Sequence, residues 1–339
     1  MPVLARAVLM GAPDYFAIRG GANPHTRTRF GLRKRVRRDL AGAQWHRLAS
    51  RLTELGVAVY VIPADPRHPG LVYPANAGVL FPLEDPRPLA EKRFVLSNLI
   101  ASRAGEHAIY REFLRNLGLA TVEIASRFEG EADFFPVGDD LYVFTHGTLV
   151  RQRFAPRWGI PPWRRRYGFR SERAALDELR GFTSGREVLA LELRQEAFYH
   201  GDTCLAAFGS GRRGLLAYLD ALSLDSRRRL RERLGARLLE LSADDAAIYA
   251  ANAFRLVTAD GERLFVPAGI SDHLRDELRA RGVMPEPVDV SEFWSKGGGS
   301  VKCMIGDLGP ADEPPTAAIA AFRERMRYRP TAVDGARPS

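Results

Sequence analysis

The sequence predicts an α/β protein built from five similar units around a central axis. Two observations carry this prediction: helix-forming and strand-forming segments alternate along the chain, and a short polar–apolar pattern recurs five times. Apolar periodicity predicts helices over 39–55, 104–117, 171–180 with a serine cap, 215–222, 226–234 and 272–281. Short β-rich runs follow at 57–62, 119–124, 237–241 and 283–288.

In the recurring pattern, a polar or thiol residue precedes a short apolar strand. Units of similar length around one axis bring equivalent positions together. The residues that begin the five units are therefore expected to converge at one mouth of the molecule. They are Asn76, Asp133, Asp202, Asn252 and Cys303, at separations of 57, 69, 50 and 51 residues.

Three further segments complete the predicted organisation. Residues 1–10 are apolar with one arginine, which indicates a first core strand rather than a signal peptide. A single catalytic domain is expected over 1–310, followed over 311–339 by one helix, at 316–326, and a flexible tail. The arginine- and proline-rich segment 151–166 is predicted to be a loop, either a solvated one or a lid over the mouth.

Composition and charge narrow the class of protein. No apolar run reaches 18 residues, which argues against a membrane span. Two cysteines are too few for a disulfide framework, so a reducing, cytoplasmic setting is expected. The net charge of +9 is compatible with a nucleic-acid partner, but nearly all the basic residues are arginine. The charge therefore reflects composition as much as a binding surface.

Cys303 is the first candidate for chemistry, because it follows the triplet 297–299 of three glycines. Glycines let backbone N–H groups approach a ligand closely. The neighbouring Lys302 is expected to lower the pKa of the thiol, and the thiolate is the reactive form. The alternative interpretation is a buried, inert cysteine after a glycine hinge.

His200 is the second candidate. In an extended segment, His200 and Asp202 point the same way, and a carboxylate beside an imidazole raises its pKa. A cationic histidine near a thiol favours thiolate and can later protonate a leaving amine. Cys204 lies on the opposite face of this segment and is expected to be a core residue.

An acidic run forms the third candidate. Glu129, Glu131 and Asp133 are flanked by phenylalanines on both sides, which favours partly buried carboxylates. Such carboxylates suit a cationic, planar group such as guanidinium. The alternative interpretation is a charged loop between two strands.

Together these motifs resemble those of the pentein guanidino-modifying superfamily. That superfamily includes dimethylarginine dimethylaminohydrolases, arginine deiminases, arginine dihydrolases and amidinotransferases. The similar motifs are Glu-Gly-x-x-Asp at 129–133, His-x-Asp-Thr at 200–203 and Gly-Gly-Gly-x-x-x-Cys at 297–303. Further similarities extend the resemblance over about residues 7–308.

The resemblance implies a five-bladed, pseudo-symmetric α/β propeller and a covalent mechanism. Cys303 would attack the guanidinium carbon, and His200 would protonate the departing amine, which leaves an S-alkylthiouronium. His200 would then activate water, or an acceptor amine in a transferase. Glu129 would orient His200 or bind the guanidinium, unless Glu131 takes this part in the longer acidic motif.

The resemblance also implies a substrate-binding set, with no metal and no organic cofactor. Asp202 would bind guanidinium nitrogens, and Arg170 would grip the substrate carboxylate. Asp133, Asn76 and Asn23 complete the set.

One wall of the expected site departs from the superfamily pattern. Methylarginine hydrolases and deiminases place acidic residues in the first repeat, where this chain has Gly70, Ala75 and Asn76. Asn76 and Asn23 resemble the arginine dihydrolase branch instead.

The leading hypothesis is a hydrolase acting on the guanidinium group of arginine or of a substituted arginine. The nearest alternative is an amidinotransferase, which shares the thiouronium intermediate but passes it to an amine. A non-catalytic propeller that binds nucleic acid or the ribosome is a further alternative, supported by the charge and by segment 151–166. A cysteine hydrolase of acyl substrates would need an oxyanion hole rather than clustered carboxylates.

Overall fold

The computed structural model describes residues 6–20, 22–150, 153–155, 164–310 and 312–330. Within these residues, five three-stranded sheets share one plan: two antiparallel strands and a third strand parallel to the middle one, reached through a crossover that contains a helix. Five such units in chain order form a five-bladed α/β propeller, which confirms the predicted fold class.

The elements follow the chain blade by blade. The first blade holds β1 (Arg6–Gly11), α1 (Arg38–Glu54) and β2 (Ala58–Ile62). The second holds β3 (Gly78–Phe81), β4 (Arg93–Leu96), α2 (Glu106–Asn116) and β5 (Ala120–Val122). The third holds β6 (Phe134–Val137), β7 (Leu141–His146), the hairpin strands β8 (Arg153–Ala155) and β9 (Arg164–Arg166), α3 (Ala175–Leu179) and β10 (Glu187–Glu192).

The last two blades repeat the same order. The fourth holds β11 (Leu205–Phe208), β12 (Gly214–Ala217), α4 (Leu224–Leu234) and β13 (Leu238–Glu240). The short α5 (Ala243–Ala247) leads into β14 (Phe254–Thr258), β15 (Gly261–Pro267), α6 (Asp272–Ala280) and β16 (Val283–Val288) of the fifth. The chain then continues through α7 (Ser291–Gly297), β17 (Gly306–Pro310) and α8 (Ala317–Met326).

The ring is closed by the strand that is last in sequence. β17 pairs antiparallel with β1 and so completes the first blade from the far end of the repeats. A buried ion pair reinforces this closure, with Arg6 Nη2 2.6 Å from Asp307 Oδ2. Arg212 of the fourth blade also reaches Asp307, at 3.2 Å, so this carboxylate joins distant parts of the ring.

The apolar stripe of α1 packs against its own sheet. In α1, Trp45, Leu48 and Leu52 are buried and join a cluster with Val8 and Val59 of the adjacent strands. The spacing of three and four residues places them on one face of the helix. This is the pattern that predicts the helix from sequence.

Three local predictions are wrong. Residues 214–217 form strand β12 instead of helix, because their continuous apolar run does not distinguish a buried strand from a buried helix. α3 begins only at Ala175, and the side chain of Ser171 contacts Asp133 instead of capping it. Within segment 151–166, β8 and β9 pair antiparallel, so those ends are not loop. Residues 151, 152 and 156–163 lie outside the described residues.

The predicted helix over 316–326 is confirmed as α8. The hydroxyl of Thr316 caps it by accepting from the backbone N–H of Ile319. Arg323 donates to the carbonyl of Leu117, which anchors α8 to the second blade. The domain boundary at 310 remains a prediction, and residues 331–339 of the predicted tail lie outside the described part. No helix in the described ranges is long and apolar enough to span a bilayer.

Candidate active site

The residues that begin the five units meet around the axis of the propeller, as the repeat pattern predicts. Each lies in or beside the short turn that precedes the first strand of its pair. Hydrogen bonds join neighbouring turns into a closed ring: Asn76 Nδ2 to Glu129 O (3.4 Å), Gly201 N to Asp133 Oδ1 (2.9 Å), Asn252 Nδ2 to Asp202 O (3.1 Å), Cys303 N to Asn252 Oδ1 (3.0 Å) and Ala75 N to Cys303 O (3.4 Å).

A cleft of about 430 Å³ opens at this ring. Its volume suits a small organic molecule. Six of the eight predicted site residues line it, and Asp133 and Asp202 do not. The six are Cys303, His200, Glu129, Arg170, Asn76 and Asn23.

Cys303 lies in a turn that is fixed by a single amide side chain. Asn252 Oδ1 accepts from the backbone N–H of both Ser300 and Cys303, at 3.0 Å each, and its Nδ2 donates to the thiol sulfur at 3.1 Å. The thiol in turn donates to Asp202 Oδ2 at 3.3 Å. Burial and the charge of Asp202 raise the pKa of Cys303 well above its ordinary value. In the free protein the nucleophile candidate is therefore a thiol.

The glycine triplet before Cys303 allows a helix to end and a tyrosine side chain to pack closely against the backbone. Gly298 ends α7 in the left-handed region, at a φ of 84°, where glycine is favoured. A Cβ on Gly297 would lie 1.9 Å from the hydroxyl oxygen of Tyr73, and a Cβ on Gly299 would lie 2.7 Å from its ring. The close approach predicted for the triplet is thus made by Tyr73 on one side.

Lys302 does not point its amine at the thiol. Its Nζ lies 2.7 Å from Glu131 Oε1 and donates to the carbonyl of Ile305 at 2.9 Å. Lys302 still lowers the pKa of Cys303, but less than burial and Asp202 raise it. The predicted direction of the Lys302 effect on the pKa of Cys303 is confirmed, but the amine of Lys302 is engaged by Glu131.

His200 is paired with Glu129. The two side chains are almost completely buried, and His200 Nε2 lies 2.9 Å from Glu129 Oε2. Burial alone would lower the pKa of His200, but Asp133, Glu129 and Asp202 outweigh it and raise the pKa. Burial alone would raise the pKa of Glu129, but the hydrogen bond from His200 and nearby arginines lower it to about 2. The pair is therefore an imidazolium beside a carboxylate.

The second ring nitrogen of His200 is left for other chemistry. His200 Nδ1 is buried and has no hydrogen-bond partner among the described residues. Because the residue also lines the cleft, this nitrogen is available to a bound molecule.

The expected pairing of His200 with Asp202 is wrong. His200 has extended backbone, but a 3-10 turn over Gly201–Thr203 follows it immediately. This turn sends the Asp202 side chain to Cys303 instead, so the two-residue periodicity of a strand does not apply. Asp202 acts on His200 only through its charge.

Asp133 holds the turn that carries His200 and does not line the cleft. Its carboxylate accepts from Thr145 Oγ1 (2.5 Å), Ser171 Oγ (2.7 Å) and the backbone N–H of Gly201 (2.9 Å). With these contacts made, the geometry gives Asp133 a positioning part and does not place it against a substrate.

The two glutamates of the acidic motif separate clearly in space. Glu129 lines the cleft and contacts His200, whereas Glu131 lies on the other side of the ring against Lys302 and the backbone N–H of Asp307. The alternative assignment of Glu131 as the partner of the histidine is therefore not supported by the geometry.

Asn23 and Arg170 shape the mouth of the cleft. Asn23 Nδ2 donates to the carbonyl of Gly297 at 2.8 Å, which ties the N-terminal loop to the glycine triplet. The guanidinium of Arg170 stacks 4.9 Å over the ring of Tyr199 and donates to the carbonyls of Ala22 and Gly168. Arg170 thereby brings a fixed positive charge to the cleft.

Sequence reasoning misses the buried ion pair of Arg103 and Glu106. Arg103 Nη2 lies 2.6 Å from Glu106 Oε2, and its Nη1 donates to Asn76 Oδ1 at 2.6 Å. A Cβ on Gly70 would lie 2.3 Å from Glu106 Oε1, so the ion pair fills the space of a side chain there. An Arg-x-x-Glu spacing at a helix start is the only sequence signal, and surface pairs share it.

Comparisons with known proteins agree with this geometry. A family profile described as "N,N dimethylarginine dimethylhydrolase, eukaryotic" matches residues 167–309. The chain is 29% identical over 305 residues to the N(G),N(G)-dimethylarginine dimethylaminohydrolase of Mycobacterium tuberculosis. The matched region covers 90% of this chain and 86% of that protein. These two similarities support the pentein superfamily of guanidino-modifying enzymes.

Arginine dihydrolases extend the comparison. The chain is 29% identical to a bifunctional arginine dihydrolase/ornithine cyclodeaminase of Nostoc sp., over 87% of this chain and 37% of that protein. The product-bound N-terminal domain of a cyanobacterial arginine dihydrolase superimposes with a TM-score of 0.74 at 23% identity, covering 91% of this chain and 98% of that one. At that identity the structure supports the fold alone. The sequence relatives support a hydrolase of guanidino C–N bonds.

Proposed function

We propose that this protein is a cysteine-dependent hydrolase of the guanidinium group of arginine or a substituted arginine. The observation that carries the proposal is one cleft that presents two reactive groups, each backed by its own carboxylate. The Cys303 thiol has Asp202 behind it at 3.3 Å, and the His200 ring has Glu129 behind it at 2.9 Å.

In the first step, a guanidinium enters the cleft and Cys303 attacks its central carbon. The bound cation favours ionisation of the thiol, because an opposite charge nearby stabilises the thiolate. It thereby offsets the burial and the Asp202 charge that keep the free thiol protonated. The attack forms an S–C bond and a tetrahedral adduct, and the thiol proton passes to Asp202 or to solvent.

In the second step, the adduct collapses and the C–N bond to the departing nitrogen breaks. His200 supplies the proton to that nitrogen, from a ring whose raised pKa keeps it cationic. The products are a free amine or ammonia and an S-alkylthiouronium on Cys303. Neutral His200 then takes a proton from water, which attacks the same carbon, and the C–S bond breaks to give the ureido product.

The substrate class rests on the cleft charges and on the relatives. Arg170 offers a cationic group for a substrate carboxylate, and Glu129 and Asp202 lie near the reacting end. The relatives are described as acting on dimethylarginine or as arginine dihydrolases. Arginine and its Nω-substituted forms are therefore the first substrates to test.

The test is a product analysis with purified wild type and the Cys303→Ser variant. Each is incubated with arginine, methylated arginines and other guanidines, and ammonia, methylamine, citrulline and ornithine are quantified. We expect product from the wild type alone, with a transient mass increase on Cys303 in quenched samples. Product from the Cys303→Ser variant at the wild-type rate would refute the proposal.

A parallel arm with added amine acceptors addresses the amidinotransferase alternative. The hydrolase proposal predicts a ureido product whose yield does not depend on the acceptor. A product that forms only with an amine, and carries the amidino group, would show that the thiouronium intermediate is transferred to the amine instead of being hydrolysed.

A further inference from the structure

A second and much smaller cavity lies on the propeller axis behind Cys303. Its volume is about 40 Å³, which is room for about one water molecule. Asp202, Lys302 and Glu131 line it, together with Arg212, Arg255 and Asp307. None of these side chains lines the large cleft, so the cavity is a separate compartment that shares the turns of the site.

Asp202 contacts Cys303 on one side and lines the small cavity on the other. Its Oδ2 accepts the hydrogen bond of the Cys303 thiol, at 3.3 Å. Its Oδ1 is buried without a hydrogen-bond partner among the described residues. The thiol and this carboxylate form one hydrogen-bonded pair, which we call the Cys303–Asp202 pair.

Each charged group that faces this pair from the small cavity is itself paired with an opposite charge. Lys302 is neutralised by Glu131 at 2.7 Å, and Glu131 is held in place by the backbone N–H of Asp307. The other charged groups of the cavity have partners of their own: Arg212 contacts Glu84 and Asp307, and Arg255 contacts Glu262 at 2.8 Å. His200 and Asp133 complete the charged surroundings of Asp202.

We propose that Lys302 and Glu131 are positioning residues that together set the proton affinity of the Cys303–Asp202 pair, and hence the reactivity of Cys303. Neither residue touches the cleft, so neither contacts a substrate. The inference rests on the proposed function only in taking Cys303 as the nucleophile.

The direction of each shift around the site agrees with this arrangement. Burial raises the pKa of Asp202 to about 6, and His200 and Lys302 oppose that rise. Burial also raises the pKa of Glu131, and Lys302 opposes that rise. At the alkaline pH where the thiol titrates, both carboxylates are ionised, so each buried charge acts on the thiolate with its full sign.

The two residues therefore have opposite effects, and a packing role would not. Lys302→Met removes a cation and should raise the apparent pKa of Cys303 by about one unit. Glu131→Gln leaves Lys302 uncompensated and should lower that pKa by a similar amount. The double variant Lys302→Met/Glu131→Gln restores the balance and should return close to wild type.

The experiment measures alkylation of Cys303 by iodoacetamide between pH 6 and pH 10, with the labelled peptide identified by mass spectrometry. At a fixed alkaline pH below the thiol pKa, we expect alkylation about tenfold slower in Lys302→Met and about tenfold faster in Glu131→Gln. Glu292→Gln is the matched control, because Glu292 is a buried, arginine-paired glutamate that lines neither cavity. It should leave the pH profile unchanged.

The inference is overturned if both single variants shift alkylation in the same direction, or if neither shifts it relative to Glu292→Gln. Lys302→Gln provides a second neutral variant should Lys302→Met fail to fold. Alkylation needs no turnover, so the outcome is separate from the proposed function. Opposite shifts in a protein that hydrolyses no guanidine would leave this inference standing and remove the hydrolase proposal.

Discussion

The two walls of the cleft are built differently. The reactive wall, formed by Cys303, His200 and Glu129, leaves His200 Nδ1 without a hydrogen-bond partner in the described part of the chain. The recognition wall, formed by Arg103, Glu106 and Asn76, uses its charged groups on one another. There Arg103 binds the Glu106 carboxylate, the Asn76 amide oxygen and the Gly70 carbonyl at once.

This difference follows from where each wall comes from. The reactive wall comes from turns at the start of three different repeats, so five-fold pseudo-symmetry brings its residues together and a ring of hydrogen bonds holds them. The recognition wall comes from the part of the chain around one blade: the loop at Gly70, the turn at Asn76 and the start of α2. The reactive groups thus depend on the repeated plan, whereas the ion pair of the other wall is a local feature of one repeat.

The largest effect is expected on the reactive wall, from His200→Gln. A glutamine has similar bulk but cannot donate a proton to the departing amine, so kcat should fall by about 10²–10⁴-fold. Steady-state rates with arginine or a methylated arginine measure the loss. A variant that keeps wild-type kcat would break the contrast between the two walls.

The second effect is a change in pH dependence from Glu129→Gln. In the proposed mechanism His200 acts as an acid, so activity should be present below its raised pKa and be lost as pH rises through that pKa. Removing the charge at 2.9 Å lowers the pKa of His200, so the alkaline limb of kcat should move to lower pH by about one unit. Glu292→Gln is the control, and an unmoved limb in Glu129→Gln would contradict the assignment.

Much of the fold is predictable because two signals agree. Helical periodicity finds α1, α2 and α6 nearly to the residue, and five recurrent polar–apolar units predict a ring. The errors have local causes. β12 is a buried apolar run without a diagnostic period, and Ser171 resembles a helix cap while its hydroxyl serves Asp133.

The site is less predictable than the fold, because it depends on turns rather than on periods. The sequence predicts that Cys303, His200 and Glu129 share one site. It pairs His200 with Asp202 because no sequence pattern predicts the 3-10 turn over Gly201–Thr203. Gly70 stands where the superfamily pattern has an acidic residue. Only the structure explains it, by the ion pair that fills its side-chain space.

On the recognition wall, Arg103→Met tests that ion pair by stability. The substitution leaves the Glu106 carboxylate buried and unpaired, which should cost about 3–5 kcal/mol in the free energy of unfolding. The double variant Arg103→Met/Glu106→Gln removes the stranded charge and should recover most of this loss. Denaturant unfolding measures both values.

The exposed pair of Arg231 and Glu240 gives the matched control for this measurement. Arg231→Met should change stability little, because solvent screens that pair. In the double variant Arg103→Met/Glu106→Gln, which should recover most of the stability, KM should change more than kcat. An equal fall in both would place Arg103 with the reactive wall and remove the contrast.

The smallest effect is expected from Asn76→Asp, which puts a carboxylate at a position where the resemblance leads one to expect an acid. The new oxygen would accept from Arg103 as the amide oxygen does at 2.6 Å, so its charge is neutralised within the wall. The lost contact is the weak one from Nδ2 to the Glu129 carbonyl, at 3.4 Å. We therefore expect kcat/KM for arginine and for methylated arginines to change by less than about tenfold. A larger, substrate-selective change would mean that the carboxylate reaches the guanidinium despite Arg103, and that the recognition wall opens when substrate binds.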